Sequence, residues 1–167
     1  LRKPFEASVL VRTVKPLIIG SILVWSYFLL VDGGSGPLVW AALVHGTQAL
    51  RFLALRTLTR LSPSDAGFEA AFRRRLLLPL ALSGIIWGLA PWLMLERLDP
   101  VQVAVMFIAL QTMSTGAIGM LAYHWTALLV FVVPIQLGLL GRMVWLGEGG
   151  YVIAAIMLLY LAMLLRF

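Results

Sequence analysis

Six apolar stretches run through the chain, and its basic residues gather on alternate connections between them. That pattern leaves few folds open. A bilayer core is ~30 Å thick, and a helix rising 1.5 Å per residue crosses it in about 20 residues with every backbone N–H and C=O paired internally. The stretches fall at roughly 14–31, 37–58, 76–95, 101–121, 125–146 and 151–167. The sequence therefore predicts an all-α, polytopic membrane domain that uses residues 1–167 as a single bundle of six transmembrane helices.

The charges predict which way it faces. Arg2, Lys3, Arg12, Lys15, Arg51, Arg56, Arg60, Arg73, Arg74, Arg75 and Arg166 fall on one side of the expected bilayer, and Arg97 and Arg142 fall on the other. By the positive-inside rule the first side is cytoplasmic. Both termini are then inside, in a multi-pass membrane protein. Asp32, Glu96, Asp99 and Glu148 lean to the outer side. Trp40, Trp92 and Trp145 are expected near the outer interface and Trp125 near the inner one, as an aromatic belt.

Charged residues make up only 12% of the chain, against about 25% in soluble domains. The net charge of +6 sits at helix ends, where anionic headgroups lie, so the basic partner is the lipid bilayer and not nucleic acid. With no cysteine, disulfides, thiolate metal sites and cysteine nucleophiles are excluded. Arg2, Lys3, Arg12 and Lys15 before the first stretch resemble the start of a signal peptide. The stretch is long and lacks a clear small-x-small cleavage site, so a retained span is predicted. A chain that opens on Leu1 and stops at Phe167 inside an apolar run is expected to be part of a longer protein.

Turn chemistry separates the spans. Asp32-Gly-Gly-Ser-Gly-Pro37 is a polar stop, and Glu96-Arg-Leu-Asp-Pro100 is another. Ser62-Pro63-Ser64-Asp65 reads as a helix N-cap. A short amphipathic segment follows it, in which Glu69 can pair with Arg73.

Polar and unusual residues at depth are candidates for function. The ligand-binding candidates are His45, Trp87, Trp92, Gln111, Thr115, Gln136 and Arg142. Gln111 and Thr115 lie one turn apart on one helix face. Arg142 stands on the side where basic residues are scarce. It would either hold an anionic ligand or lipid headgroup, or snorkel outward to Glu148 or Asp32. Trp87 lies mid-span, away from either belt, with core packing the commoner explanation. Small residues at four-residue spacing, Gly84/Gly88, Thr112/Gly116 and Thr115/Gly119, suit close helix packing. They would form either a dimer seam or, more commonly, contacts within one bundle. Pro79, Pro91 and Pro134 each free a backbone carbonyl and predict kinks.

His45 and His124 invite the idea of a bis-histidine haem, but their predicted depths differ by on the order of 15 Å, too far for one iron. No metal-binding or catalytic motif occurs, and no acid falls at mid-span. The segment itself is not expected to be an enzyme, and no cofactor or metal is expected.

Three stretches carry a family likeness. They are Phe72-Arg-Arg-Arg75 leading into Ser83-Gly-Ile-Ile-Trp-Gly-Leu-Ala-Pro-Trp92, then Thr115-Gly-Ala-Ile-Gly-Met-Leu-Ala-Tyr123, then Val132-Val-Pro-Ile-Gln-Leu-Gly-Leu-Leu-Gly-Arg142 before a Gly/Glu turn. Together they resemble the six-helix membrane region at the N-terminus of bacterial sensor proteins, ahead of GGDEF/EAL cyclic-di-GMP enzymes or sensor histidine kinases. The resemblance implies a sensory or anchoring input module, dimeric through its cytoplasmic partner. The connections are too short for an external ligand-binding domain, so any signal is expected to be read within the membrane or at its outer surface, as a lipophilic small molecule or the bilayer itself. Members often carry a proline shortly after the tyrosine, where this chain has His124-Trp125-Thr126. The alternatives from other classes are a small transporter or channel subunit and a haem-binding membrane protein.

Overall fold

A computed structural model describes residues 18, 20–22, 25–26, 35–58, 67–94, 98–121 and 125–166; at 68, 69, 100, 118–120, 148, 149, 161 and 164–166 only the backbone is described. Five full helices follow in order: α1 (Ser35–Leu58), α2 (Phe68–Met94), α3 (Pro100–Leu121), α4 (Trp125–Trp145) and α5 (Glu148–Arg166). Among the described residues there is no strand, so the chain is all-α. Most of the first predicted span, the cap at Ser62–Asp65, and the acids Asp32 and Glu96 lie outside the described residues.

The helix ends follow from local chemistry. Asp99 Oδ1 accepts from the backbone N–H of Gln102 at 2.8 Å, and Gln102 Oε1 accepts from the N–H of Asp99 at 3.1 Å. This reciprocal box, with Pro100 at the first helical position, satisfies donors that a helix start leaves open. At the far end of α4, Gly147 takes a φ of 80°, a left-handed conformation that suits glycine at a helix stop. The predicted amphipathic segment and third span merge into one continuous helix, α2, with Pro79 and Pro91 both inside it.

Packing does not follow chain order. α2 and α4 form the central pair, α1 lies on α2, and α3 and α5 each lie on α4. Glycine makes the central pair possible. A Cβ on Gly84 would run into the carbonyl of Phe131, one on Gly88 into that of Pro134, and one on Gly138 into that of Gly88. The two backbones therefore touch along two turns of each helix, as small residues permit. Gly150 places α5 against α4 in the same way, its missing side chain filled by the carbonyl of Met143.

Around this seam the core is Leu80, Trp87, Leu128, Phe131, Val132, Ile135 and Leu139. Trp40, one of the expected belt residues, packs against its neighbouring helix. It is only 1% exposed, lies edge-on to Trp87 at 5.0 Å, and donates its indole N–H to the Ile86 carbonyl at 2.8 Å. Pro91 opens α2 one residue beyond that acceptor.

The outer surface is apolar. Leu53, Leu78, Val101, Ile108, Val152 and Leu159 are all exposed, while Ser83, Ser114 and Gln136 are buried. Three helices are long and apolar enough to cross a membrane: Ser35–Leu58, Ala70–Met94 and Trp125–Trp145. Six were expected. The first falls largely outside the described residues. In α3 and α5 the apolar stretches with described side chains, Val101–Ala117 and Gly150–Tyr160, are shorter than the ~20 residues of a full crossing.

The seam predicts a contrast between two glycines. Gly138→Ala is expected to destabilise the bundle by roughly 1–3 kcal/mol, the usual cost of overpacking. Gly116→Ala, where nothing lies within 4 Å of the added carbon, is expected to be neutral or slightly stabilising. Denaturant unfolding in detergent micelles, followed by circular dichroism, measures both.

Candidate functional site

Three polar groupings lie inside this apolar scaffold. The first joins α3 to α4. The buried stripe of α4 runs through Leu128, Phe131, Val132, Ile135, Gln136 and Leu139, which carries Gln136 inward to 1% exposure. Gln111 on α3 meets it there. Each amide donates to the carbonyl oxygen of the other at 3.3 Å. Gln136 Nε2 also donates to Ser114 Oγ at 3.0 Å, and Ser114 Oγ donates to the Leu110 carbonyl at 2.9 Å. Both Gln136 N–H donors and its carbonyl are satisfied, as a buried amide requires. The two glutamines are thus brought together and bond each other, forming a polar clasp between two helices.

Thr115 and Thr112 do not join that clasp. They are exposed and line an open groove on α3 with Phe107, Ile108, Gln111 and Gly116. Gly116 meets no neighbour within 4 Å, so among the described residues Thr112 and Gly116 make no close helix contact. Of Gly119 only the backbone course is described. Gly84 and Gly88, in contrast, sit in the α2/α4 seam.

The second grouping closes the Trp145 end of the bundle. Arg142 is 4% exposed. Its guanidinium carbon lies 5.6 Å from the centroid of the Trp92 ring, within cation–π range. Trp92 is fixed in turn by its indole N–H, which donates to the Gly138 carbonyl at 2.9 Å, and by Gly141, which leaves room for the ring. Trp145 lies 6.4 Å from Trp92, ring to ring. Arg142 therefore lies buried beneath Trp92. Its two anticipated acidic partners, Asp32 and the Glu148 side chain, fall outside the described residues. Trp87 is 2% exposed and packs in the core against Trp40.

The third grouping is on α1. Gln48 Oε1 accepts from Ser21 Oγ at 3.0 Å and lies 3.2 Å from His45 Nδ1. Trp25 stacks obliquely on the His45 ring at 6.0 Å. One turn beyond Gln48, Arg51 sits over the Phe131 ring, 5.6 Å from its centroid. Sequence reasoning missed Arg51 by counting it with the solvated charges at a helix end. The available signal was its step of three from Gln48, itself three from His45, which puts all three on neighbouring ridges of one helix. His124 is outside the described residues. Among the described residues no group of His, Asp and Glu is placed to hold a metal.

Comparison of the chain with protein-family models, curated proteins and solved structures gives no match.

The clasp carries a quantitative expectation. In a double-mutant cycle of Gln111→Leu and Gln136→Leu, the coupling energy should fall at about 0.6–1.7 kcal/mol, the range measured for hydrogen bonds between membrane helices. Unfolding in micelles for the four proteins gives the value, and additive losses would mean that the pair does not join α3 to α4.

Proposed function

We propose that the chain is the membrane-embedded input module of a bacterial signal-transduction protein. Its six spans lie in the inner membrane with both termini cytoplasmic. It reads a lipophilic or membrane-derived signal and passes it through α5 to a cytoplasmic diguanylate cyclase, phosphodiesterase or histidine kinase, working as a homodimer. The apolar outer surface of the bundle supports the membrane setting: large aliphatic side chains are exposed, while amides and hydroxyls such as Gln136 and Ser114 are buried. A bilayer rewards that distribution, and water does not. The sequence likeness at Phe72–Arg75, Ser83–Trp92 and Val132–Arg142 supports the signalling class.

One observation carries the relay. α4 is the hub on which α2, α3 and α5 all pack, and its last turn is joined to α5 by a very short link. Leu146 donates to the Arg142 carbonyl at 3.1 Å, Gly147 to that of Val144 at 3.2 Å, and Gly150 to that of Gly147 at 2.8 Å. Gly150 then lies flush on Met143. A tilt of α4 at Arg142 must therefore carry α5 with it. Pro134 and Pro91 are the weak points about which such a tilt would occur, and the Gln111–Gln136 clasp gives α3 and α4 a bond whose making or breaking distinguishes two packings. A signal drives the change by binding one packing better than the other.

Two measurements test this. Fusions of green fluorescent protein after Arg75 and after Phe167 are expected to fluoresce, and an alkaline phosphatase fusion after Gly147 to be active. Reading the gene onward from Phe167 is expected to reveal a cyclase, phosphodiesterase or kinase domain. A second set of transport helices there, or an inverted fusion pattern, would overturn the proposal.

A further inference from the structure

The relay leaves unused the grouping on α1, where two polar nitrogens are buried with nothing to bond. Gln48 Oε1 is an acceptor for Ser21, so the His45 nitrogen that faces the same oxygen carries the ring proton. In a neutral ring with Nδ1 protonated, Nε2 is an acceptor, and His45 Nε2 is buried without a partner. Arg51 Nε is likewise buried without a partner. Among the described residues no hydrogen bond or ion pair reaches Arg51, and its charge rests over the Phe131 ring. A guanidinium keeps its charge in any protein setting, and Arg51, half-buried at the apolar flank of the bundle, calls there for an anion. The two orphan nitrogens therefore have opposite needs. Arg51 asks for a negatively charged acceptor, and His45 Nε2 asks for a donor.

Access comes from the flank. Phe52 lies two turns along from His45 on the same side of α1 and is exposed, as are Leu50 and Leu53. An alkyl chain in the bilayer can lie along this surface while its head turns inward beside Gln48.

We propose that Ser21, His45, Gln48 and Arg51 form a binding site for a single-chain amphiphile whose head combines an anionic group with a hydroxyl. The anion bonds Arg51, the hydroxyl donates to His45 Nε2, and Gln48, held by Ser21, fixes the tautomer of His45. The site rests on the membrane setting proposed above but not on the identity of the output domain.

Isothermal titration of the full chain in phosphatidylcholine nanodiscs tests it, with β-hydroxydodecanoate, dodecanoate, dodecyl phosphate and dodecanol as probes. The anionic probes are expected to bind saturably and dodecanol only to partition. β-Hydroxydodecanoate should bind more tightly than dodecanoate, and His45→Phe should abolish that difference. Arg51→Gln should weaken the anionic probes roughly tenfold or more, as loss of a charge-assisted bond does, with part of the affinity returning in Arg51→Lys. Dodecyl phosphate binding above both carboxylates would identify a phospholipid-type head, and the reverse order a fatty acid. Dodecanol binding as tightly as the acids overturns the site, a comparison that needs no variant. Unchanged binding in Arg51→Gln overturns it too. Failure here alongside a signalling domain beyond Phe167 removes the site and leaves the input module standing. Saturable anion binding without such a domain does the opposite.

Discussion

Everything in this bundle is organised by one contact, the approach of two helix backbones at Gly84, Gly88 and Gly138. Carbonyl groups of α4 occupy the space where side chains of α2 would be, and a carbonyl of α2 does the same for α4. Where lipid is as apolar as leucine, burying leucine brings helices together only weakly, and close van der Waals fit has to replace the hydrophobic effect. The seam also sets the positions of its neighbours. With α2 and α4 in contact, Trp92 reaches the Gly138 carbonyl, Phe131 comes beneath Arg51, and α3 packs on α4.

The polar residues divide by how completely they are satisfied. Gln136 has a partner for each of its amide groups, so it holds helices in register and has nothing left to offer a ligand. His45 and Arg51 each keep an unbonded nitrogen. Arg142 stands between these cases, its charge covered by the Trp92 face. Buried polar groups that lack partners are costly, and that cost marks the α1 grouping as the place where a further molecule would be stabilised.

The helices were legible because apolar length is a strong signal. The expected limits of the second, fourth and fifth spans lie within a residue or two of α1, α3 and α4. The third differed because Ser62–Asp65 suggested a separate short segment, whereas the helix runs on through Phe72–Arg75 without a break. The pairing of Gln111 with Gln136 was not legible. Each was conspicuous alone, but their meeting depends on α4 packing beside α2 and α3 together, which no local pattern encodes. The bond from Trp40 to the Ile86 carbonyl was hidden for a related reason, since it needs α1 to lie on α2. Arg51 was hidden by a rule that counts charges and ignores the direction of each side chain.

The partnership of α2 with α4 has a consequence for how the protein is made. As the chain leaves the ribosome, α2 emerges with its glycine face bare, and the next helix to follow, α3, is not the one that fits it. The groove must stay open until α4 arrives, with α3 set aside in the meantime. The Asp99–Gln102 cap suits that interval, because it lets α3 form its first turn from its own residues before it has a neighbour to lean on. Assembly would then finish late, when α4 enters the groove and brings α3 and α5 into place together.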